Sequence, residues 1–243
     1  LVIVISFILP RLIPGSPLNV LAGEGSGVTV FNTLGFERDD VVVLGDVKAS
    51  ALQDEVGKVY PVQQTADGAV AYLEGIPSKG YKTLAAVEAE ANSPFVLDGN
   101  RLETPFHSIV IDDNGHFTSV YDKENDRELV KSGCALNQMR LYEDKPIYFD
   151  NWDIDMYYTE KSWEVNDLVS MAWTEDGPVR TTLTLRWKVS NSVIDQKIHF
   201  YADTRRIDFE TVADWKEHQH LLKAEFPVDI HSDEATFEVQ FGN

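Results

Sequence analysis

The densest chemistry in the sequence lies at Tyr148-Phe149-Asp150-Asn151-Trp152-Asp153-Ile154-Asp155-Met156-Tyr157-Tyr158. Aromatic rings interleaved with carboxylates are what a sugar-facing surface uses, because rings stack on the apolar face of a pyranose while acids take its hydroxyls. Read as an extended strand, the segment puts Asp153, Asp155 and Tyr157 on one face and Trp152, Ile154, Met156 and Tyr158 on the other. An ordinary strand with its Trp152 face in a core and its Asp153 face in water fits the same pattern. Paired carboxylates also do acid and base work in glycoside hydrolysis, yet i,i+2 proximity does not place two acids across a substrate.

A second cluster, Asp214-Trp215-Lys216-Glu217-His218-Gln219-His220, holds two histidines two residues apart with a nearby glutamate. Metal ligation needs such donors, but the HExxH spacing and a second ligand cluster are both missing, and hydrogen-bonding histidines on a loop explain the segment as well. His107, His116, His199 and His231 stand singly and receive no catalytic role. No GxGxxG, Walker A, GxSxG, CxxC or EF-hand pattern occurs, so nucleotide, serine-hydrolase and zinc-finger chemistries have no residues to rest on. Cys134, the single cysteine, sits in Gly133-Cys134-Ala135-Leu136 with no adjacent base and reads as a buried free thiol. One cysteine forms no internal disulfide, which favours a reducing compartment.

These groups must be positioned by strands. Short apolar runs with period 2 begin at Gly27-Val28-Thr29-Val30-Phe31-Asn32 and continue through Val41–Leu44, Val59–Val62 and Ala69–Leu73. Residues 85 to 95, rich in Ala and Glu, suit either a short helix or a linker, and the boundary between two domains is expected there. Phe106–Ile111 and His116–Tyr121 flank Asp112-Asp113-Asn114-Gly115, the best hairpin in the chain, since Asn-Gly accommodates positive φ. Arg180–Val189, Val193–Tyr201, Arg206–Val212 and Thr236–Phe241 alternate as half-wet antiparallel strands do. The expected fold class is mainly β, an antiparallel β-sandwich preceded by a smaller β-domain. In this reading residues 28 to 95 form the small β-domain and residues 96 to 243 the large sandwich.

The 243 residues carry 43% hydrophobic and 25% charged side chains, enough to bury a substantial core. A formal net charge of -19 repels phosphate backbones and anionic lipid, and no basic run offsets it, so nucleic-acid and membrane partners are not expected. Leu1 to Leu9 is apolar but far short of the roughly 20 residues a membrane helix needs. Residues 1 to 27 read as an N-terminal segment or fragment junction, and the unpaired Thr236–Phe241 edge reads as a sandwich cut short at its C-terminal end.

Four ordered motifs resemble glycoside hydrolase family 38 α-mannosidases. Val30-Phe31-Asn32-Thr33-Leu34-Gly35-Phe36-Glu37-Arg38 resembles the opening of that family's post-catalytic β-region. The run from Asp113 through Glu124, with Arg127-Glu128-Leu129-Val130, resembles its hairpin and exit. Trp152–Tyr158, and Asp208–Trp215 through Phe226-Pro227-Val228-Asp229, are similar to its cytosolic and bacterial branch. The resemblance implies a galactose mutarotase-like supersandwich and a parent enzyme that hydrolyses α-mannosidic bonds with retention. It also implies a divalent metal, usually zinc, held by an N-terminal catalytic domain upstream of this chain and not by these residues. Partners would be mannose-containing oligosaccharides and that catalytic domain, in the cytoplasm; a homo-oligomer is left open. A role on the substrate-pocket rim or at the domain interface is carried to Trp152, Asp153, Asp155 and Tyr157. The isolated chain, lacking nucleophile and metal ligands, is expected to be inactive. A carbohydrate-binding or purely structural β-module is the alternative.

Overall fold

The computed structural model describes residues 18–22, 27–149 and 152–234. Residues 1–17 and 23–26 of the 1–27 segment, the Thr236–Phe241 strand and Asp150-Asn151 lie outside them. Every strand pairing is antiparallel and no α-helix occurs among the described residues, so the chain is mainly β, in keeping with a β-sandwich domain. The alternation read at Val28–Asn32, Val41–Leu44, Phe106–Tyr121 and Arg180–Tyr201 corresponds to strands in each case.

The first half builds two sheets. β1 (Leu18–Ala22), β2 (Gly27–Asn32), β4 (Ala51–Gln53), β5 (Val59–Pro61) and β8 (Tyr81–Val87) make one, in the order β1-β2-β8-β4-β5. β3 (Arg38–Gly45), β6 (Gln63–Thr65) and β7 (Gly68–Ile76) make the other. Val30, Leu52, Ala71, Leu73, Ile76 and Leu84 close a common core between them. Buried Asn32 is fully used there: its amide donates to the carbonyls of Phe36 and Ile76, and its oxygen accepts the Leu34 N–H. An uncompensated buried amide would be costly, so this residue fixes how the chain leaves β2. No helix forms at 85–91. Ala85 and Ala86 are strand residues of β8, because pairing with β2 and β4 outweighs alanine's helical preference. Residues 88–95 have no regular structure.

The second half carries three sheets. One runs β13-β12-β11-β10-β9, from β9 (Val96–Asp98), β10 (Arg101–Glu103), β11 (His107–Ile111), β12 (Phe117–Asp122) and β13 (Arg127–Glu128). The second places β14 (Gln138–Glu143) between β15 (Ser162–Glu164) and β20 (His220–Glu225). The third orders β16 (Leu168–Asp176), β17 (Arg180–Val189), β18 (Ser192–Tyr201) and β19 (Ile207–Asp214) consecutively. Leu102, Ile109, Phe117, Leu141, Leu185, Trp187, Ile194 and Phe200 join these sheets in one core.

At the predicted hairpin, Asp112 accepts the Gly115 N–H through its carbonyl and the Asn114 and His116 N–H groups through its side chain. Only Gly115 takes positive φ, at +83°, and the register shifts beside it between Val110 and Ile111, so the loop is a turn plus a bulge. Trp187 Nε1 donates to Asn114 O at 2.9 Å, which seats the turn on β17. A buried amide pair crosses the core elsewhere: Asn137 and Gln196 donate to each other's oxygens at 2.7 and 3.2 Å, and Gln196 also donates to Thr211.

Cys134 is not buried. It is exposed on the turn where Gly133 adopts φ +75°, because that turn directs the Gly133-Cys134-Ala135 segment outward before β14 returns the chain to the core.

Candidate functional site

Between Leu141 and Val165 no described residue is buried, although the segment holds eight large apolar side chains at high exposure. Trp152 is 88% exposed and Met156 77%, and Tyr148, Phe149 and Tyr157 also face solvent. The strand read at Trp152–Tyr158 does not form. Trp152 lies in a turn, residues 153–155 are irregular, and Met156–Glu160 is a 3-10 helix. The period-2 pattern therefore has no sheet to divide into inner and outer faces, and the Trp152 set is as wet as the Asp153 set.

Local bonds explain this shape. Phe149 has φ +56°, and its carbonyl accepts the N–H groups of Trp152 at 2.7 Å and Asp153 at 3.0 Å. Asp155 folds back to accept the Ile147 N–H at 2.8 Å, closing the two arms of the loop. Its carbonyl takes the Tyr158 N–H at 3.1 Å and starts the 3-10 turn. Asp155 is thus a brace inside the loop, while Asp153 projects into solvent.

Asp155 and Tyr157 come together on a cleft of about 370 Å³ that also takes in Glu143, Asp144, Tyr158 and Lys161. Trp152 and Asp153 are not on its wall. One oxygen of Asp144 is buried there without a hydrogen-bond partner. Glu143 is held below the usual carboxylate range by hydrogen bonds from Lys161 and Lys145. Beneath the loop, the Lys223 ammonium donates to Tyr158 Oη and lies 4.1 Å from the Tyr158 ring centre. Tyr142 packs edge-on against Tyr158 and donates to Glu225 at 2.5 Å; burial and then that carboxylate push its hydroxyl up to about 12. The loop is therefore seated on a rigid polar base, with its rings held outward.

The second cluster does not assemble as a ligand set. Glu217 accepts from the Asn191 N–H and the Ser192 hydroxyl, which ties it to the β17–β18 turn. His220 Nδ1 lies 2.6 Å from the His218 carbonyl, and its ring rests on Trp163. Among the described residues no group of three or more His, Cys, Asp or Glu side chains could hold a metal ion. No helix among them is long and apolar enough to cross a membrane.

A model of the glycosyl hydrolases family 38 C-terminal domain matches residues 102–243, more than half of the chain. The chain belongs to glycosyl hydrolase family 38. Alpha-mannosidase 2C1 of Homo sapiens is 25% identical to this family 38 chain over 241 residues, covering 96% of it and 22% of the human protein. Alpha-mannosidase G of Dictyostelium discoideum is 28% identical over 170 residues, 68% of this chain and 15% of its own length. The alpha-mannosidase of Saccharomyces cerevisiae is 30% identical over 149 residues, 55% of this chain and 14% of its own. The chain thus spans less than a quarter of these curated relatives.

Proposed function

We propose that this chain is the C-terminal β-region of a retaining α-mannosidase that removes terminal α-D-mannose from oligosaccharides. The single observation that carries the reading is the 147–157 loop, whose rings are held outward by internal hydrogen bonds and rest on no core. Exposed aromatic surface of this kind is normally covered by a partner or a ligand. The parent's own catalytic domain is the partner, and Trp152, Asp153, Asp155 and Tyr157 contribute to the rim of its pocket. There Trp152 and Tyr157 stack on pyranose faces and exclude water, Asp153 takes sugar hydroxyls, and Asp155 keeps the loop closed. The divalent metal, zinc, belongs to that domain. The lone, exposed cysteine supports a cytoplasmic parent.

Hydrolysis of nitrophenyl α-mannoside, measured with added zinc or cobalt on the full reading frame and on this chain alone, tests the proposal. Activity is expected in the longer protein only. Trp152→Ala should then raise KM about tenfold, equivalent to about 1.4 kcal/mol, with kcat nearly unchanged. An unchanged KM with weakened attachment of the two parts would assign the loop to the interface instead of the rim. No activity in either protein would leave a carbohydrate-binding or structural module.

A further inference from the structure

A second cleft, of about 550 Å³, opens where the β11–β12 turn, the Gly133–Ala135 turn and the strands β14, β15 and β20 meet. It shares no lining residue with the cleft beneath the Trp152 loop. Its size falls in the range of small-molecule sites.

The side chain of His116 on its wall is only 5% exposed. Nδ1 faces Asp112 Oδ2 at 3.4 Å, while Nε2 is buried without a hydrogen-bond partner. A buried ring nitrogen left without a partner is costly whether it carries the proton or not, so the position calls for a polar group, which a hydroxyl supplies as donor or acceptor. The other Asp112 oxygen already holds the backbone of the turn. Across the cleft, Arg140 Nη2 lies 3.2 Å from Glu164 and Arg140 Nε 3.2 Å from Glu225, all three partly open to solvent.

This arrangement sorts ligands by charge. A lone cation meets the Arg140 guanidinium, and a lone anion meets two carboxylates. A neutral vicinal diol is satisfied by both, since each hydroxyl donates to a glutamate oxygen and accepts from an arginine N–H. Apart from the imidazole no aromatic ring lines the cleft, so a nucleobase has nothing to stack on.

We propose that this cleft is a binding site for a neutral polyhydroxylated ligand of monosaccharide size, held by Arg140, Glu164, Glu225 and His116 Nε2. Cys134 is exposed on the same wall and reports occupancy. The experiment measures its alkylation by iodoacetamide in the full-length protein, read by peptide mass spectrometry, with methyl α-D-mannoside or methyl β-D-glucoside as neutral probes and sulfate or tetramethylammonium as charged ones. At least one glycoside at millimolar concentration should slow alkylation threefold or more, and the ions should not. Glu164→Ala, and Asn166→Ala beside it on the cleft wall, should keep the unliganded rate and lose the protection. No slowing by either glycoside, equal slowing by an ion, or protection that survives in both variants overturns the site. Because the readout is local to Cys134, the result stands whether or not the parent hydrolyses mannosides.

Discussion

Gln63 Oε1 lies 2.9 Å from the backbone nitrogen of Arg180 and also accepts the Val179 N–H at 3.1 Å. One side chain of β6 thereby satisfies two buried donors at the start of β17 and joins the two cores. Gly177 lies against it closely enough that a Cβ there would collide with the Gln63 amide. Lys197 with Asp67 at 2.6 Å and Arg206 with Asp40 at 3.1 Å add charged contacts across the same boundary. Gln63→Ala leaves two buried N–H groups unpaired and should cost about 2–4 kcal/mol in denaturant unfolding. A loss below about 0.5 kcal/mol would mean that the two halves do not depend on this bond.

Gly115→Ala should also destabilise, for a different reason. The backbone sits at φ +83°, and a Cβ would lie 3.0 Å from Trp187 and 3.1 Å from Leu185. Left-handed strain and overpacking together predict a loss of about 2–4 kcal/mol, seen as a lower unfolding midpoint. Retained stability would show that β17 has room to move away from the turn.

Stability should fall on mild acidification. Burial lowers the His199 pKa below its ordinary 6.5, with Arg180 adding to the effect and Glu175, Glu210 and Asp208 opposing it. Burial also lowers His107. Between each folded value and 6.5 the unfolded chain binds more protons, so stability is full above about 6.5 and is lost as pH drops through that window. The unfolding midpoint should be higher at pH 7.5 than at 5.5, and His199→Gln, which can keep a hydrogen bond to Thr182, should narrow the gap. An identical gap in that variant would remove His199 from the explanation.

Asp155→Ala should loosen the loop without unfolding the sheets. It frees the Ile147 N–H, a partly solvated bond worth about 1 kcal/mol or less. Chymotryptic cleavage after Tyr148 or Phe149 should accelerate while the thermal midpoint stays nearly fixed. Unchanged cleavage would show that the positive φ at Phe149, not Asp155, holds the loop.

The strands were legible where one face is buried and the other wet, as in Arg180–Val189, whose Leu183, Leu185 and Trp187 point into the core. The same alternation at Trp152–Tyr158 misled, because period 2 signals a strand only if a neighbour offers a hydrogen-bonding edge, and here the backbone bonds to itself. The bond from the Ile147 N–H to Asp155 cannot be read from spacing, because it depends on how the loop folds back. Cys134 was misplaced because a cysteine among small residues looks buried until the Gly133 turn is seen. The polar cleft was invisible in the sequence, since His116, Arg140, Glu164 and Glu225 meet only through the β15-β14-β20 pairing and the hairpin's seat on Trp187.

The absence of buried side chains among the described residues between Leu141 and Val165 also bears on how the protein can evolve. Most substitutions in a folded chain are filtered first by their effect on stability. In this loop that filter is weak, so ring size, charge and length can drift with little penalty to the sheets. Selection there acts on what the loop touches. Retention of the Trp152–Tyr158 motif among relatives sharing this β-region would therefore record a contact, whereas the strands on either side are held constant by packing.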